Sequence, residues 1–359
     1  MRKLAILVFA LLAILALVAC GGNGDEYMVY YPEPTYHSEP TYLPEPTAPV
    51  PPILPTQAEP TPQPLRPILA PPGQLPATVT IGGMEIDTSE IRLDLSGLEL
   101  TEEDLLPLRY LPHLLLLDVS GNSILDLSQT VIPQMTNLID LDLSHNAIRD
   151  EWHMSIEWLS DISELAGLTN LTWLSIAGNT IEDVSVLAGF TELLYLDMGR
   201  NHVTDITPLQ GLTNLTALHI GINFIEDLSP IRQLYNLGAL CLHWGRQTDI
   251  SAVADLTGLI WLDISSNQQL SDITPLASLQ NLQVLNMSGI MVDDITPLAG
   301  ITTLEWLNIG DNTGPNPITD LAPLQNLYNL NTLVFYGHGF HVEDWSPVAH
   351  VDNIFPPLE

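Results

Sequence analysis

The sequence predicts an α/β solenoid, a curved stack of short repeating units, from two observations. Asparagines recur every 22 residues at Asn179, Asn201 and Asn223, and each closes a phrase of the form L-x-L/I/M-x-x-N. Apolar residues alternate with other residues inside each phrase, as in a strand that buries one face. A period of this length is typical of repeat proteins, in which each unit buries its apolar face against its neighbours.

Residues 1–19 are predicted to be a lipoprotein signal peptide. A basic start precedes an apolar run from Leu4 to Val18, which is too short to span a bilayer comfortably. The run ends in Leu17-Val18-Ala19-Cys20, which resembles the lipobox of bacterial lipoproteins, whose cysteine is diacylated and becomes the new amino terminus. We expect Cys20 to be lipidated, because two acyl chains give stable anchoring. The alternative is a plain signal peptide with an incidental cysteine.

Residues 20–77 are predicted to be the lipidated cysteine followed by a disordered stalk. The stretch from Gly21 to Pro76 contains 16 of the 29 prolines. Proline at this density favours extended polyproline II and prevents a packed core. A ligand for a proline-binding domain is the alternative reading of this stretch.

Residues 78–92 are predicted to be a hairpin that caps the stack. Gly82-Gly83 lies between two short alternating runs, which is a signal for a two-residue turn. The terminal unit of a solenoid needs such a cover, because its apolar face has no neighbour.

Residues 93–359 are predicted to form about eleven rungs of mostly 22 residues, ending in a terminal cap. The positions that close successive phrases are Leu98, Asn122, Asn146, Asn179, Asn201, Asn223, Gly245, Asn267, Ile290, Asn312 and His338. The spacing is stretched by an insertion at 151–161, by one extra residue at 268–269 and by a bulge at 313–317. The buried asparagines are expected to satisfy backbone groups of the turns they close.

The return leg of each rung is predicted to contain a short 3₁₀ helix on the convex side, opposite a concave parallel sheet. Asp205-Ile206-Thr207-Pro208-Leu209 is the pattern, and it recurs at 272–276 and 294–298. A hydroxyl residue before proline is a helix start, in which the hydroxyl is expected to cap free N–H groups. Aspartates that precede these helices are expected to be structural: Asp183, Asp205, Asp227, Asp249, Asp272, Asp294, Asp320 and Asp344.

The repeat unit is similar to that of the bacterial internalin-type leucine-rich repeat family. The unit from Leu212 to Ile231 reads L-x-x-L-x-x-L-x-I-x-x-N-x-I-x-D-L-x-P-I, and the resemblance extends from about Leu93 to the end of the chain. It implies a bacterial cell-surface protein that binds proteins of a host or a neighbouring cell on its concave strands. No catalytic residues come with this family.

Composition and charge narrow the choice of partner. The net charge is −34, with 43 acidic residues against nine basic ones. Nucleic acids and anionic lipids need a basic footprint, so the sequence argues against both as partners, and membrane contact is expected only through Cys20. A basic or neutral protein ligand is favoured. Two cysteines cannot supply a disulfide framework.

Alignment of the rungs predicts two outward-facing columns on the concave sheet. The first is Arg92, Leu116, Asp140, Trp173, Tyr195, Ala217, Ala239, Trp261, Val284, Trp306 and Thr332. The second is Asp94, Asp118, Asp142, Ser175, Asp197, His219, Cys241, Asp263, Asn286, Asn308 and Val334.

Large aromatic residues in the first column predict the recognition centre. They are expected to be exposed, and two alanines between Tyr195 and Trp261 are expected to form a shallow floor bordered by Trp244. The predicted ligand-binding residues are Trp173, Tyr195, Asp197, His219, Trp244, Trp261, Asp263 and Trp306. The alternative is that the aromatic residues simply cover the sheet.

An acidic strip occupies the amino-terminal half of the same face, at Asp94, Asp118, Asp140 and Asp142. Such a strip would steer a positively charged partner. It could equally be a solvated surface that keeps the protein soluble.

His219, Cys241 and His243 are candidates for a zinc site or a Cys–His nucleophile, since adjacent rungs bring them together with Asp197 and Asp263. An open sheet excludes little water, however, so we predict neither an enzyme nor a cofactor. The predicted function is protein binding or adhesion by a monomeric, lipid-anchored module. Carbohydrate or cell-wall glycan binding through the Trp/Tyr line is the alternative, and a metal- or thiol-dependent site at His219 and Cys241 is the third possibility.

Overall fold

The computed structural model describes residues 75–149, 155–310, 317–335 and 342–355. The predicted signal peptide, Cys20 and the stalk up to residue 74 lie outside the described residues. So do Asn312 and His338, two of the predicted rung-closing positions.

Sixteen short β-strands lie within the described ranges. They are β1 Thr78–Ile81, β2 Met84–Asp87, β3 Arg92–Asp94, β4 Leu116–Asp118, β5 Asp140–Asp142, β6 Ala147–Arg149, β7 Ser155–Trp158, β8 Trp173–Ser175, β9 Tyr195–Asp197, β10 Ala217–His219, β11 Ala239–Cys241, β12 Trp261–Asp263, β13 Val284–Asn286, β14 Trp306–Asn308, β15 Thr332–Val334 and β16 Asn353–Phe355.

Twelve of these strands form one parallel sheet. Its order is β3, β4, β5 and then β8 to β16, so that every strand pairs with the next rung along the chain. Leu218 pairs with Leu196 on one side and with Leu240 on the other. The predicted curved leucine-rich solenoid with a concave parallel sheet is therefore confirmed.

The sheet contains one strand more than the eleven predicted rungs. β16 pairs in parallel with β15, with Ile354 opposite Leu333. The segment Asn353-Ile354-Phe355 contains no leucine, so the repeat pattern does not mark it as a rung.

Twelve 3₁₀ helices, η1 to η12, are found in the described part of the chain. They span Glu103–Tyr110, Leu127–Gln129, Ile132–Gln134, Ser163–Gly167, Ser185–Gly189, Thr207–Gly211, Ser229–Gln233, Ser251–Asp255, Thr274–Ser278, Thr296–Leu298, Ala322–Leu324 and Ser346–Val348. The predicted short helices on the return legs are confirmed.

Aspartate carboxylates, rather than the predicted hydroxyls, cap the eight helices from η5 to η12. Oδ1 of Asp205 accepts a hydrogen bond from the backbone N–H of Thr207 at 2.8 Å. Where a hydroxyl takes part, it donates to the carboxylate instead, as Ser229 does to Asp227. The carboxylate lies two residues before the N–H that it caps, which is the geometry of an Asx turn. The same bond is made by Asp183, Asp205, Asp227, Asp249, Asp272, Asp294, Asp320 and Asp344.

One apolar core runs through the whole stack. The central leucines of ten strands are at most 2% exposed: Leu117, Leu141, Leu174, Leu196, Leu218, Leu240, Leu262, Leu285, Leu307 and Leu333. Burial of each such side chain contributes about 1.5–3 kcal/mol relative to exposure. Stacking of these leucines is the main stabilising interaction between rungs.

A ladder of buried asparagines joins consecutive rungs through their backbones. Nδ2 of Asn223 donates to the carbonyl oxygens of Met198 and Ile220, and its Oδ1 accepts the N–H of Val203 at 3.0 Å. Asn201 makes the corresponding bonds one rung earlier. An apolar residue at this position could not satisfy these buried backbone groups.

A second, exposed ladder lies on the turns that lead into the strands. Nδ2 of Asn214 donates to the carbonyl oxygen of Thr191 at 2.8 Å. Equivalent bonds are made by Asn137, Asn170, Asn236, Asn281 and Asn329. The Asn-Leu-Thr sequences at Asn170 and Asn214 therefore have a structural role.

Two antiparallel hairpins lie outside the main sheet. β1 and β2 are joined at Gly82 and Gly83, whose φ angles of +54° and +80° suit a turn with two left-handed residues. Ile81 is 1% exposed and extends the core at the amino-terminal end, where a cap was expected. β7 lies within the predicted insertion at 151–161 and pairs with β6, which precedes it.

Candidate functional site

The two outward columns of the concave face are aligned as the sequence predicts. Tyr195 pairs with Trp173 and Ala217, and the register continues through Ala239 to Trp261. In the second column His219 lies between Asp197 and Cys241. Neighbouring strands lie about 4.8 Å apart, so consecutive side chains in a column contact each other.

The aromatic residues of the first column are far less exposed than expected. Tyr195 is 7% and Trp261 is 3% exposed, while Trp173 and Trp306 are half-buried. The rings of Trp173 and Tyr195 stack, with centroids 4.9 Å apart and planes 3° apart. A large part of each ring therefore contacts protein rather than solvent, and burial raises the pKa of Tyr195.

The predicted shallow floor between Tyr195 and Trp261 is filled. Ala217 and Ala239 are 2% and 6% exposed, and they pack in one apolar cluster with both rings. The alanines are small enough for the neighbouring aromatic rings to close over them. We call this set the concave cluster: Trp173, Tyr195, Ala217, Ala239, Cys241, Trp261 and Val284.

Trp244 does not border this cluster in the way the sequence suggests. It lies in the turn after β11 and is 56% exposed, with a φ of +50°. A residue with positive φ projects its side chain in a direction that strand alternation cannot predict. Trp244 belongs to the edge of the sheet.

His219 is buried on the concave face between two rungs. Its Nδ1 lies 2.9 Å from Oδ1 of Asp197, and its ring stacks on that of His243 with centroids 5.2 Å apart. A Cβ at Gly199 would lie 2.6 Å from the His219 ring, and one at Gly221 would lie 2.6 Å from His243 Nδ1. The two glycines therefore provide the space in which the imidazoles lie.

The environment of His243 disfavours positive charge. Burial, followed by the neighbouring His219 and Arg200, lowers the pKa of His243 to about 3. His243 is therefore neutral at physiological pH and can accept a hydrogen bond through one ring nitrogen.

Cys241 is buried close to both histidines. Its Sγ lies 2.9 Å from Nδ1 of His243, and ligand atoms of His219, Cys241 and His243 lie within 4.8 Å of one another. Reactive thiolates are partly exposed to solvent, whereas Cys241 is 2% exposed and packs in the concave cluster. We assign it neither a metal-binding nor a catalytic role.

The exposure of the aspartates on the concave face decreases along the stack, from the acidic strip to Asp263. Asp94 is exposed, Asp118, Asp140 and Asp142 are half-buried, and Asp263 is 4% exposed. Burial raises the pKa values of Asp140 and Asp263. It raises the pKa of Asp142 to about 6, with smaller contributions from the charges of neighbouring aspartates.

These aspartates also have a structural role that we did not predict. Oδ1 of Asp142 accepts the N–H of Ser144 at 2.8 Å, and Asp197 bonds the N–H of Gly199 in the same way. The recurring D-x-S or D-x-G sequence was the available signal. The same bond is made by Asp94, Asp118, Asp142, Asp197 and Asp263.

The sequence reasoning also missed several residues beside these columns. Gly199 and Gly221 accommodate the histidines, and Phe224 and Arg246 form a cation–π pair at the edge of the sheet. For Gly199 and Gly221, the signal in the sequence was a glycine one rung before an outward-facing histidine.

Within the described ranges, no helix has the length and apolar character needed to cross a membrane.

The family described as leucine rich repeats (2 copies) matches residues 169–211, 191–233 and 257–300. Among solved structures, the chain is similar to an internalin (inlF) from Listeria monocytogenes, with 26% identity, a TM-score of 0.62 and coverage of 77% of this chain and 91% of that one. Internalin C2 from the same organism is 31% identical over 57% of this chain and 85% of that one, with a TM-score of 0.49.

A more distant similarity concerns the fold alone. The leucine-rich repeat ectodomain of the Arabidopsis receptor kinase HAESA, solved with an IDA peptide hormone ligand, is 22% identical with a TM-score of 0.53. The match covers 72% of this chain and 43% of that one. No match is found among curated proteins.

Proposed function

Because the chain belongs to the internalin-type family of leucine-rich repeat proteins, we propose that it binds a protein ligand at the bacterial cell surface through its concave face. The concave cluster lies at the centre of the predicted contact area. Trp306 lies beside this cluster, next to Val284, and the acidic strip extends from the cluster towards the amino terminus. The ligand contacts the partly exposed edges of these groups.

The observation that supports this proposal most is the packing of the concave cluster. The Trp173 and Tyr195 rings are held by stacking at 4.9 Å, so they lose little side-chain freedom when a ligand binds. A rigid aromatic centre surrounded by polar groups is the arrangement expected of a binding hot spot. Stacking of a sugar ring would require a free aromatic face, which Tyr195 and Trp261 lack because they are almost fully buried.

The charge of the molecule supports a basic or neutral ligand. The net charge of the chain is −34. Asp94, Asp118 and Asp140 lie on the same face as the concave cluster. An acidic strip accelerates association with a basic partner and disfavours acidic ones at that position. The same net charge argues against nucleic acid.

We also propose that the domain is anchored to the membrane by lipid on Cys20. The lipobox-like sequence Leu17-Val18-Ala19-Cys20 and the proline-rich segment behind it support this. Cys20→Ser should release the protein from the membrane fraction, and intact mass spectrometry of the parent should show a diacylated amino terminus. A parent protein of unmodified mass that stays soluble would contradict the anchor.

The binding proposal is tested by using the exported chain to capture labelled cell-surface proteins. We compare the exported chain with Trp173→Ala and with an Asp118→Asn/Asp140→Asn variant, and expect at least a tenfold loss of affinity for any ligand captured by the parent. The matched controls are Tyr235→Ala and Tyr328→Ala, which remove aromatic side chains that are 64% and 75% exposed in the turns before β11 and β15. Loss of binding in the controls but not in the concave variants would contradict the proposal.

A further inference from the structure

A second exposed surface lies at the edge of the sheet, where the strands turn towards the convex side. Two positions in each rung flank the rung-closing residue there. We call the following six residues the edge surface: Arg200, His202, Ile222, Phe224, Trp244 and Arg246. They come from three consecutive rungs, after β9, β10 and β11.

The edge surface combines exposed aromatic rings with cationic groups. Trp244 is 56% exposed and Phe224 is 39% exposed. The guanidinium carbon of Arg246 lies 4.4 Å from the centroid of the Phe224 ring, and His202 stacks on its neighbour Phe224 with centroids 5.5 Å apart. These contacts hold three side chains in a row along the stack.

Three residues of this surface have a positive φ angle. Arg200, Ile222 and Trp244 have φ angles of +55°, +55° and +50°. At the same position other rungs have the glycines Gly121, Gly178 and Gly289, or His145 and Ser266, which also have positive φ. A β-branched residue in the left-handed region is an outlier. Such residues tend to gather at sites where the side chain is needed.

The charge of the edge surface is opposite to that of the rest of the molecule. Arg200 and Arg246 are two of only nine basic residues in a chain with 43 acidic ones. Among the described residues neither guanidinium takes part in an ion pair, whereas Arg232 pairs with Asp255 at 3.3 Å. The acidic residues nearest in sequence are Glu226, two residues after Phe224, and Asp197 and Asp249, each three residues from one of the two arginines.

The spacing of the two arginines selects an extended ligand. They lie two rungs apart, which is about 10 Å along the stack at about 4.8 Å per strand. A polyproline II helix repeats every three residues and rises about 3.1 Å per residue, so carboxylates at positions i and i+3 lie about 9 Å apart on one side. Grooves lined by aromatic residues are the usual receptors for such segments.

We propose that the edge surface binds an acidic, proline-containing extended segment of the partner protein, with carboxylates three residues apart on Arg200 and Arg246. An apolar residue between the carboxylates packs on Ile222 and Trp244. This inference rests on the proposed function, because it adds a second contact to the recognition of the same protein ligand. The partner then carries opposite charges where it meets the acidic strip and the edge surface.

The test uses the exported full chain and a fluorescein-labelled nonapeptide with the sequence Glu-Pro-Leu repeated three times. Fluorescence anisotropy should show saturable binding that weakens as salt is raised, because the contact is charge-assisted. Arg200→Gln/Arg246→Gln and Trp244→Ala should each weaken binding at least tenfold. The peptide with Gln-Pro-Leu repeats should bind at least tenfold more weakly than the acidic one.

Control variants separate this inference from the concave-face proposal. Trp173→Ala should leave the peptide affinity unchanged, and circular dichroism should confirm that every variant is folded. Failure of the peptide to bind the parent, or equal binding by the arginine variants, would overturn the edge proposal without affecting the concave one. Binding of polygalacturonate but not of the peptide would also overturn it, in favour of an anionic glycan.

The chain's own acidic proline segment provides one more control, since Glu33, Glu39, Glu45 and Glu59 each precede a proline. A variant with all four changed to glutamine should bind the probe with the same affinity as the parent. A tenfold tighter affinity would show that this segment occupies the edge surface, and would overturn the assignment to a partner protein.

Discussion

The side chain of Gln247 occupies the space that a side chain at Gly245 would need. Gly245 stands where the neighbouring rungs have asparagine. Nε2 of Gln247 donates to the carbonyl oxygen of Ile225 at 2.7 Å, whereas one rung earlier the equivalent carbonyl of Val203 accepts the backbone N–H of Phe224, so the Gln247 amide replaces a backbone donor of the regular rung. The replacement is incomplete, because in the described structure Oε1 of Gln247 and Oδ1 of Asn267 are buried without hydrogen-bond partners.

We therefore expect the paired substitution Gly245→Asn/Gln247→Ile to stabilise the protein, although each single change destabilises it. Gly245→Asn alone collides with Gln247, and Gln247→Ile alone removes the donor to Ile225. Each single variant should lose about 2 kcal/mol, and the pair should gain about 1 kcal/mol over the parent because the regular ladder is restored. Urea unfolding of the four proteins measures the coupling. Additive single effects would contradict this account.

The two asparagine ladders should contribute unequally to stability. Asn223→Ala leaves the Ile220 carbonyl and the Val203 N–H buried without partners and removes one of two bonds to the Met198 carbonyl, so it should cost about 3 kcal/mol. Asn214→Ala removes one exposed bond to Thr191 and should cost less than about 1 kcal/mol. Thermal unfolding compares the two variants. Equal losses would mean that the buried ladder is not the stronger one.

Asp142 should destabilise the folded state at neutral pH. Its pKa is raised from 3.8 to about 6, so the favourable contribution is complete below pH 3.8 and is lost as pH rises through 6. Asp142→Asn can still accept the bond from Ser144, and should be more stable than the parent by about 1–3 kcal/mol at pH 8. The difference should vanish at pH 3.5. Urea midpoints at the two pH values provide the test, and a gain that is equal at both would contradict it.

The pH dependence of stability due to His243 should be the reverse of that due to Asp142, because His243 lowers stability in acid. Its pKa is lowered from 6.5 to about 3, so the stability that it contributes is present above pH 6.5 and is lost as pH falls towards 3. His243→Gln should therefore lose less stability than the parent between pH 6.5 and 4. His113→Gln, at an exposed histidine, is the control and should follow the parent curve. Parallel curves for all three proteins would show that His243 is not buried in neutral form.

Relief of the strain at the edge surface should stabilise the fold. Ile222→Gly should gain up to about 1 kcal/mol, because glycine adopts a φ of +55° without a steric penalty. Gly289→Ala, at a φ of +68°, is the reverse control and should lose about 1 kcal/mol. Calorimetric midpoints measure both changes. A marked loss in Ile222→Gly would mean that packing of this side chain outweighs the strain.

The repeat pattern predicted the register of the sheet correctly for a physical reason. A strand has a side-chain period of two, and a repeat of nearly constant length returns each leucine to the same place. Leu196, Leu218 and Leu240 therefore stack as expected. The strand of Ile354 was missed because no leucine phrase precedes it.

Exposure could not be predicted in the same way. The fraction of Tyr195 or Trp261 that contacts solvent depends on the ring orientations and on the side chains of neighbouring rungs. The sequence of a single repeat determines neither. Ala217 and Ala239 allow the two rings to pack closely. The helix caps were also not predictable, because carboxylate and hydroxyl groups compete for the same N–H. The carboxylate of Asp205 accepts the N–H of Thr207. The binding roles of the predicted site residues stay predictions.

The hairpin β6–β7 leaves the main sheet undisturbed. β5 pairs directly with β8 in register, from Asp140 opposite Trp173 to Asp142 opposite Ser175, although 30 residues separate the two strands. The β6–β7 hairpin is thus an insertion that leaves the stacking of the rungs continuous. Grafting a tag, an epitope or a fluorescent domain between residues 150 and 154 should keep the pitch of the spiral, which makes this the natural attachment point for imaging the protein on living cells.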